Sequence, residues 1–536
     1  LKSWSLPESR GGSATSESPI SSGHLQWPHS QVYSCTGTQI QETLTVLDLV
    51  ATTLTLQLPK RAFLELGLPI YEALSERFPR SEMVLLESLG RTSDARSTLV
   101  AADPLLTIEV RGVCVRLTGT NVVLEAIAPH LHCFACEYAN QARHYTLPSR
   151  RELWNFLRQL ERAFCVSGQQ GEVPLALFGY WGYETISYIE PVLGQRDDAQ
   201  QGPDIALGLY RTLVSLQEDV ATVTHYGVVE EDAVSAASIA ALCEEAAVCP
   251  HEHQDVVCTA FELRYETTRE AYLGKCRQAL THIGLGDVYQ IQIGQKLTIQ
   301  SGMSPLQLYK RLRERNPSPY MYLFTAGSRT VVGASPELFV RTEGQRIVMR
   351  PIAGTVGKAG GLSGEQAKAI LHGSEKEVAE HLMLVDLCRN DICRTCLPHS
   401  LNVTELMAIE EYSHVYHMVS NVSGEVDRER DKYDVFMLAF PAGTMTGTPK
   451  IRAIELIDSI EDSAREQYAG AVGLIGIGNN YLNTALCIRS AVFHDGVYTL
   501  RASAGIVADS VPESEYRETL HKLGSVFNAI TDQELA

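Results

Sequence analysis

Thr268-Arg-Glu-Ala-Tyr-Leu-Gly-Lys-Cys-Arg-Gln-Ala-Leu-Thr-His-Ile283, Gly284-Leu-Gly286, Val288-Tyr-Gln-Ile-Gln-Ile-Gly-Gln-Lys-Leu-Thr298 and Pro305-Leu-Gln-Leu-Tyr-Lys-Arg-Leu-Arg-Glu314 follow one another along the chain. The first segment has helical periodicity and stops at glycines, the second alternates as a strand does, and the third starts a helix at proline. Working outward, alternation predicts strands over 43–58, 83–87 and 106–117, and Leu153, Phe156, Leu157, Leu160 and Phe164 predict a helix over 148–165. The acidic, polar stretch 228–262 reads as a connector, which places a boundary near 255. Residues 1–35, rich in Ser, Gly and Pro, read as a disordered extension.

Of 536 residues, 45% are hydrophobic and 20% charged, the composition of a folded chain with a large core. The net charge of -19 argues against nucleic acid or an anionic membrane as a partner, because both would repel it. No apolar run is long enough to span a bilayer and no secretory signal opens the chain, so a cytoplasmic protein is expected. Thirteen cysteines then read as reduced thiols. Cys133/Cys136 and Cys393/Cys396 have metal-ligand spacing, but neither has a matching second pair, which leaves buried free thiols as the reading.

Glu377/Glu380 and Glu515/Glu518 are each three residues apart, so each pair shares one helical face. Asp509 or Ser510 with Pro512 marks the start of the second helix, and Lys522 falls on the face of Glu518. Acidic pairs of this kind are ordinarily solvated surface. If four acids from two helices instead converge, a hard divalent ion such as Mg²⁺ is needed between them.

The stretches around these acids, Glu380-His-Leu-Met-Leu-Val-Asp-Leu-Cys-Arg-Asn-Asp391 and Ala504-Gly-Ile-Val-Ala-Asp-Ser-Val-Pro-Glu-Ser-Glu-Tyr-Arg-Glu-Thr519, occur with Pro351-Ile-Ala-Gly-Thr355, Tyr412-Ser-His-Val-Tyr-His417, Phe440-Pro-Ala-Gly-Thr-Met-Thr-Gly-Thr-Pro-Lys450 and Tyr468-Ala-Gly-Ala-Val-Gly473. Together and in this order they resemble the chorismate-utilising synthases, anthranilate synthase component I above all. The resemblance is strongest over 260–530, and Leu85-Leu-Glu-Ser88 and Phe178-Gly-Tyr-Trp-Gly-Tyr183 look like the family's amino-terminal part. With the alternating pattern it implies an α+β fold: two large antiparallel β-sheets packed as a sandwich with helices outside, with an amino-terminal lobe over 36–255 and a chorismate-binding region over 256–536.

Residue by residue, the resemblance implies Mg²⁺ on Glu380 and Glu518, with Glu377 and Glu515 holding its water. It implies a pyruvyl-side pocket of Arg489, Tyr468 and Gly505, Lys522 near the metal end, Gly354 in the Pro-Ile-Ala-Gly-Thr loop, and Thr355 and Thr444 facing the ring. Glu337, in Ala334-Ser-Pro-Glu337, resembles the acid that protonates the departing C4 hydroxyl, which requires a pKa raised by burial or by neighbouring carboxylates; the metal-site acids are the expected neighbours. His417 matches a histidine that supports the later loss of pyruvate.

Two positions bear on the nucleophile. Water-using relatives carry a lysine base where this chain has Gln290, and an amide cannot deprotonate water whereas ammonia needs only placement. Lys296, on the same strand face, lies about 20 Å farther along at strand rise. Relatives that make 4-amino-4-deoxychorismate carry a nucleophilic lysine where this chain has Ala353. Ammonia attack at C2 and then pyruvate loss to anthranilate, in tryptophan biosynthesis, is therefore expected. The alternatives are a 2-amino-2-deoxyisochorismate synthase of secondary metabolism, a 4-amino-4-deoxychorismate synthase, and a catalytically silent ligand-binding paralogue.

No Gly-x-Cys-x-Gly elbow occurs, so ammonia is expected from a separate glutamine amidotransferase subunit in a hetero-oligomer. Ser88 with Pro319, Tyr320 and Met321 resembles the segments that bind feedback tryptophan. Val356, Asn483, Gly294-Gln-Lys296 and the stretch 91–99 depart from the family pattern.

Overall fold

The computed structural model describes residues 46–535 apart from 59–62, 91–96, 169–170, 194–201, 218–219, 229–234, 249–259, 359–360 and 413–414. The expected extension over 1–35, the boundary near 255 and most of the atypical 91–99 stretch lie outside the described residues. The helix read from Thr268 is Arg269–Gly284, and the Thr268 hydroxyl caps it by accepting from the Ala271 amide at 3.2 Å. The strand is Gln290–Ser301 and the following helix Pro305–Arg315, whose start is a reciprocal capping box between Ser304 and Gln307.

The α+β class and its antiparallel sheets are as expected, and the sheets run into each other through two long strands. Ser97–Arg111 and Ile205–Gln217 pair along their whole length, with a register shift between Pro104 and Leu106. On one side of that shift they pair with Met83–Glu87 and Val220–Gly227, and on the other with Cys114–Gly119 and Ala176–Trp181. Each long strand therefore serves both sheets. The first sheet continues from Met83–Glu87 through Tyr320–Ala326, Arg329–Ser335, Ser490–His494 and Val497–Ile506 to Gln290–Ser301. The second continues from Ala176–Trp181 through Ala471–Gly476, Leu482–Leu486, Leu338–Glu343 and Arg346–Met349 to Val415–Glu425.

Phe178, Tyr180 and Leu474 of the second sheet and Tyr322, Phe324 and Val331 of the first belong to one buried cluster, so the sheets pack face to face. The other face of the first sheet is covered by helices. Ile70, Ile239, Leu308, Leu312 and Phe527 pack there on Leu85, Val223, Leu297 and Leu323.

Two local expectations are corrected. The strand read over 106–117 is instead the two arms of a hairpin, because Gly112, at φ +59°, reverses the chain between Arg111 and Cys114. The 228–262 connector contains the helix Ala236–Val248, whose Ala236, Ile239, Cys243, Ala246 and Ala247 are buried. Its apolar stripe is built of small residues and so is masked by the acidic residues around it.

Candidate active site

The acidic pairs sit on the helices Glu375–Cys393 and Pro512–Thr531, both of which pack on strands that carry site residues. Pro512 opens the second helix as expected, but the cap expected from Asp509 or Ser510 is absent: the N-cap is Val511, with no side-chain hydrogen bond. The Ser510 hydroxyl accepts instead from the Val507 amide at 3.0 Å and helps hold the Glu515 carboxyl down.

The four acids are electrostatic neighbours. Burial raises the Glu380 pKa, and Glu377, Glu518 and Glu515 raise it further while Lys376 opposes them. Burial likewise raises Glu515, with Glu518 adding to it. Lys376 approaches Glu380 at 3.7 Å, and Lys522 bonds Glu518 at 2.6 Å from the face expected of it. Among the described residues no three His, Cys, Asp or Glu side chains stand close enough to chelate an ion, so the carboxylates are gathered but not closed around one point. An all-oxygen set with excess negative charge suits a hard divalent cation chemically.

Glu337 lies between the strands Arg329–Ser335 and Leu338–Glu343, and its backbone carbonyl accepts from the Leu486 amide at 3.0 Å. Burial pushes its carboxyl up to about 8, with the Thr444 hydroxyl and the Lys522 charge acting the other way. Of the two expected causes, burial is the one that raises this group, and the charge acting on it is the Lys522 cation, not a metal-site acid.

Gln290 opens its strand opposite Thr448, and the adjoining Gly447 allows this approach, since a Cβ there would lie 2.2 Å from the Gln290 carbonyl oxygen. The Gln290 Oε1 is buried and has no hydrogen-bond partner among the described residues. Its Nε2 lies 2.7 Å from where a Gly505 Cβ would stand, so a side chain at 505 would push the Gln290 amide aside. Lys296, farther along, lines a cleft of about 30 Å³ with Arg501 and Tyr468. A second cleft of about 60 Å³ lies against Glu184, Glu461 and Arg465.

Tyr468 Oη lies 2.8 Å from Ser503 Oγ, and the Ser503 carbonyl accepts from Lys522 at 2.9 Å. Arg489 stands near Tyr468 and Glu518 in charge, has φ +52°, and makes no ion pair among the described residues. Burial lowers its pKa, though not enough to discharge a guanidinium. Its backbone carbonyl accepts from the Ala334 amide at 3.1 Å, which ties it to the strand leading to Glu337.

His417 Nδ1 meets Thr355 Oγ1 at 2.9 Å and the Gly354 carbonyl at 3.4 Å, and the Tyr412 ring packs edge-on at 4.8 Å. Burial, with a smaller effect of Arg489, pushes His417 down to about 4, so the ring is neutral at physiological pH. A bulge between Ala353 and Thr355 turns Gly354 to φ +80°, where a Cβ would lie 3.3 Å from Glu377 Oε2. The Pro-Ile-Ala-Gly-Thr strand thus joins the histidine to the acidic pair. Ala353 presents a methyl group and no nucleophile.

Ser88 and Pro319–Met321 are also brought together: Glu87 pairs with Met321, and the Leu89 amide donates to Ser318 O at 2.9 Å. Cys388 and Cys396 are buried, whereas Cys133, Cys136 and Cys393 are exposed, which corrects the buried-thiol reading for those three; Cys136 lies on the wholly exposed strand Ala135–Ala139. The buried network of Glu461, Arg465 and Arg501, and the Gln292–Ser503 contact, escaped the sequence reading. Glu461 and Arg465, four apart, look like an exposed pair, and nothing in the sequence signals their burial.

Among known proteins, the model of the family described as chorismate binding enzyme matches residues 122–528. A 2-amino-4-deoxychorismate synthase of Streptomyces globisporus is 40% identical over 475 residues, covering 88% of this chain and 95% of that protein. Anthranilate synthase component 1 of Pseudomonas putida is 39% identical over 370 residues, covering 66% of this chain and 74% of that protein. The crystal structure of anthranilate synthase component I from Streptococcus pneumoniae superposes with a TM-score of 0.64 at 26% identity, covering 81% of this chain and 93% of that one.

Proposed function

As the chain belongs to the chorismate binding enzyme family, we propose that it aminates chorismate at ring C2 with ammonia while the C4 hydroxyl departs. The observation that carries this reading is the buried amide of Gln290, with an unpartnered carbonyl oxygen, where a water-activating enzyme needs a base. Ammonia brings its own lone pair and three N–H donors, and a lone acceptor orients it without taking its proton.

In this reading Arg489, which makes no ion pair among the described residues, takes the carboxylate of the enolpyruvyl side chain. The ring carboxylate then lies toward the acidic cluster. Glu380 and Glu518, with Glu377 and Glu515 behind them, would hold Mg²⁺, whose charge makes that cluster hospitable to an anion. Glu337, kept protonated by burial, gives its proton to the leaving hydroxyl, so that water departs as the C2–N bond forms. The attack leaves an ammonium at C2 and a carboxylate at Glu337, and the ammonium proton passes to that carboxylate, which restores the acid and leaves the free amine.

Two products follow from one intermediate. Neutral His417, held by Thr355, is placed to take the C2 hydrogen and start pyruvate loss to anthranilate. The wider overlap with the Streptomyces synthase favours release of the aminated compound with its side chain intact. In either case ammonia comes from a glutamine amidotransferase subunit, and the Ser88 and Pro319–Met321 segments are the proposed tryptophan site.

The test is to incubate the purified chain with chorismate, Mg²⁺ and ammonium at mildly alkaline pH and to weigh the product. Nitrogen at C2 is expected, and Gln290→Lys should cut amination by at least about 10²-fold. A product carrying oxygen at C2 from the unaltered chain would overturn the reading.

A further inference from the structure

We propose that Gln292 and Ser503, through the direction in which they hold the Tyr468 hydroxyl, decide whether the enolpyruvyl side chain is kept after amination; this rests on the C2-amination reading. The three side chains form a buried line: Ser503 Oγ donates to Gln292 Oε1 at 2.9 Å, and Tyr468 Oη lies 2.8 Å from the same Ser503 oxygen. Gln292 and Tyr468 are each 8% exposed and Ser503 is 1% exposed, so the three groups are held mainly by one another.

The direction of each hydrogen bond follows from what each group owns. A carbonyl oxygen has no proton, so the single Ser503 proton is committed to Gln292. Tyr468 must then donate its own proton to Ser503. Its phenol oxygen is left with lone pairs, not a proton, to offer any other group. The Gln292 amide nitrogen lies on the Gly505 side, 3.1 Å from where a Cβ would stand, and the Gln292 backbone carbonyl accepts from Arg465 at 3.0 Å, which holds the strand beneath the amide. The Ser503 carbonyl is anchored in turn by Lys522 at 2.9 Å, so the backbone beneath the serine is held.

An oxygen that only accepts suits one substrate and fails another step. It receives an N–H of incoming ammonia, or of the new C2 amine. Pyruvate loss needs the opposite. There the C2–H bond breaks, its electron pair becomes the C2=C3 double bond of the aromatic ring, and the C3–O bond breaks with its pair going to oxygen. The proton from C2 goes to a base, and the departing enolate oxygen needs a proton from an acid. With Arg489 on the side-chain carboxylate, Tyr468 is the hydroxyl beside that oxygen, and its proton is turned away. Gln292 and Ser503 are positioning residues, acting through Tyr468.

The test measures product ratio in the full chain with chorismate, Mg²⁺ and ammonium, by mass spectrometry and anthranilate fluorescence. The unaltered chain is expected to release mainly the aminated compound with its side chain. Ser503→Ala frees the tyrosine proton and should raise the anthranilate fraction at least tenfold, while Ser503→Thr, which restores a hydroxyl, should return it toward the original value. Gln292→Met, a second route to the same release, should act as Ser503→Ala does. An unchanged ratio in both Ser503→Ala and Gln292→Met, or anthranilate as the main product of the unaltered chain, overturns this inference and leaves C2 amination standing. Oxygen at C2 instead of nitrogen removes the amination reading and this inference with it.

Discussion

Two buried glutamates, Glu337 and Glu461, meet opposite fates. Among the described residues Glu337 makes no ion pair, and burial drives its carboxyl up to about 8 although the Lys522 charge opposes it. Glu461, just as deeply buried, is held down to about 2 although burial alone would raise it. The difference is its counter-charge: Arg465 approaches at 2.8 Å and Arg501 at 2.6 Å, and the Gly294 amide adds a third donor at 2.8 Å. Burial therefore does not determine the charge of an acid, but it magnifies whatever partners the fold supplies. The fold uses one case to store a proton and the other to bolt strands and loops together, since Arg465 also donates to the carbonyls of Met445 and Gln292.

The comparison is broken most forcefully at Glu337. Glu337→Gln keeps the shape and the hydrogen-bonding capacity but cannot give up a proton, so chorismate turnover should fall by about 10²- to 10⁴-fold with thermal stability retained. If turnover survives, Glu337 is not the acid. Glu461→Ala should do the reverse damage. It leaves two buried guanidiniums facing each other and should cost about 3–5 kcal/mol in urea unfolding. The same change made together with Arg465→Met and Arg501→Met should cost less than the sum of the parts; simple additivity would show that the network is not coupled.

The smallest expected effect is in pH dependence. At a fixed concentration of free ammonia, amination should decline as pH rises through about 8, because Glu337 loses the proton it must donate. Lys522→Met removes a charge that favours ionisation and should move that decline to higher pH in the turnover profile. For stability the signs oppose. The Glu337 pKa is raised by folding, so its contribution is full below the unfolded value near 4.5 and is lost as pH rises through about 8. The Glu461 pKa is lowered, so its contribution is present above 4.5 and is lost as pH falls through about 2.

Much of the fold was legible because local rules and tertiary demands agree. Met83–Glu87 is a strand as expected, the helix read from Thr268 begins at Arg269, and Pro512 opens its helix. The reading failed where the signal was weak or local rules were overridden. Ala236–Val248 buries a stripe too small to stand out, and Gly112 splits what looked like one continuous alternation. At the site, the motifs named Glu377, Glu380, Glu515, Glu518, His417, Thr355, Gln290 and Gly505, and the fold alone shows which of them meet: the four acids as electrostatic neighbours, His417 on Thr355, and Gln290 against Gly505. For Glu337, burial was one of the two causes read from the sequence, and the fold shows that it acts without the neighbouring carboxylates.

The sequence by itself determined the inventory: which helices carry paired acids, which position holds an amide in place of an amine, and which glycines let chains approach. These are properties of residue type and spacing, and they survive without coordinates. Tertiary structure alone decided protonation and polarity, because both depend on the distance to charges and donors far along the chain. Glu461 meets Arg501 forty residues later, and Gln292 meets Ser503 more than two hundred residues away. No local pattern encodes such a meeting, since it exists only once the sheets have brought the strands side by side.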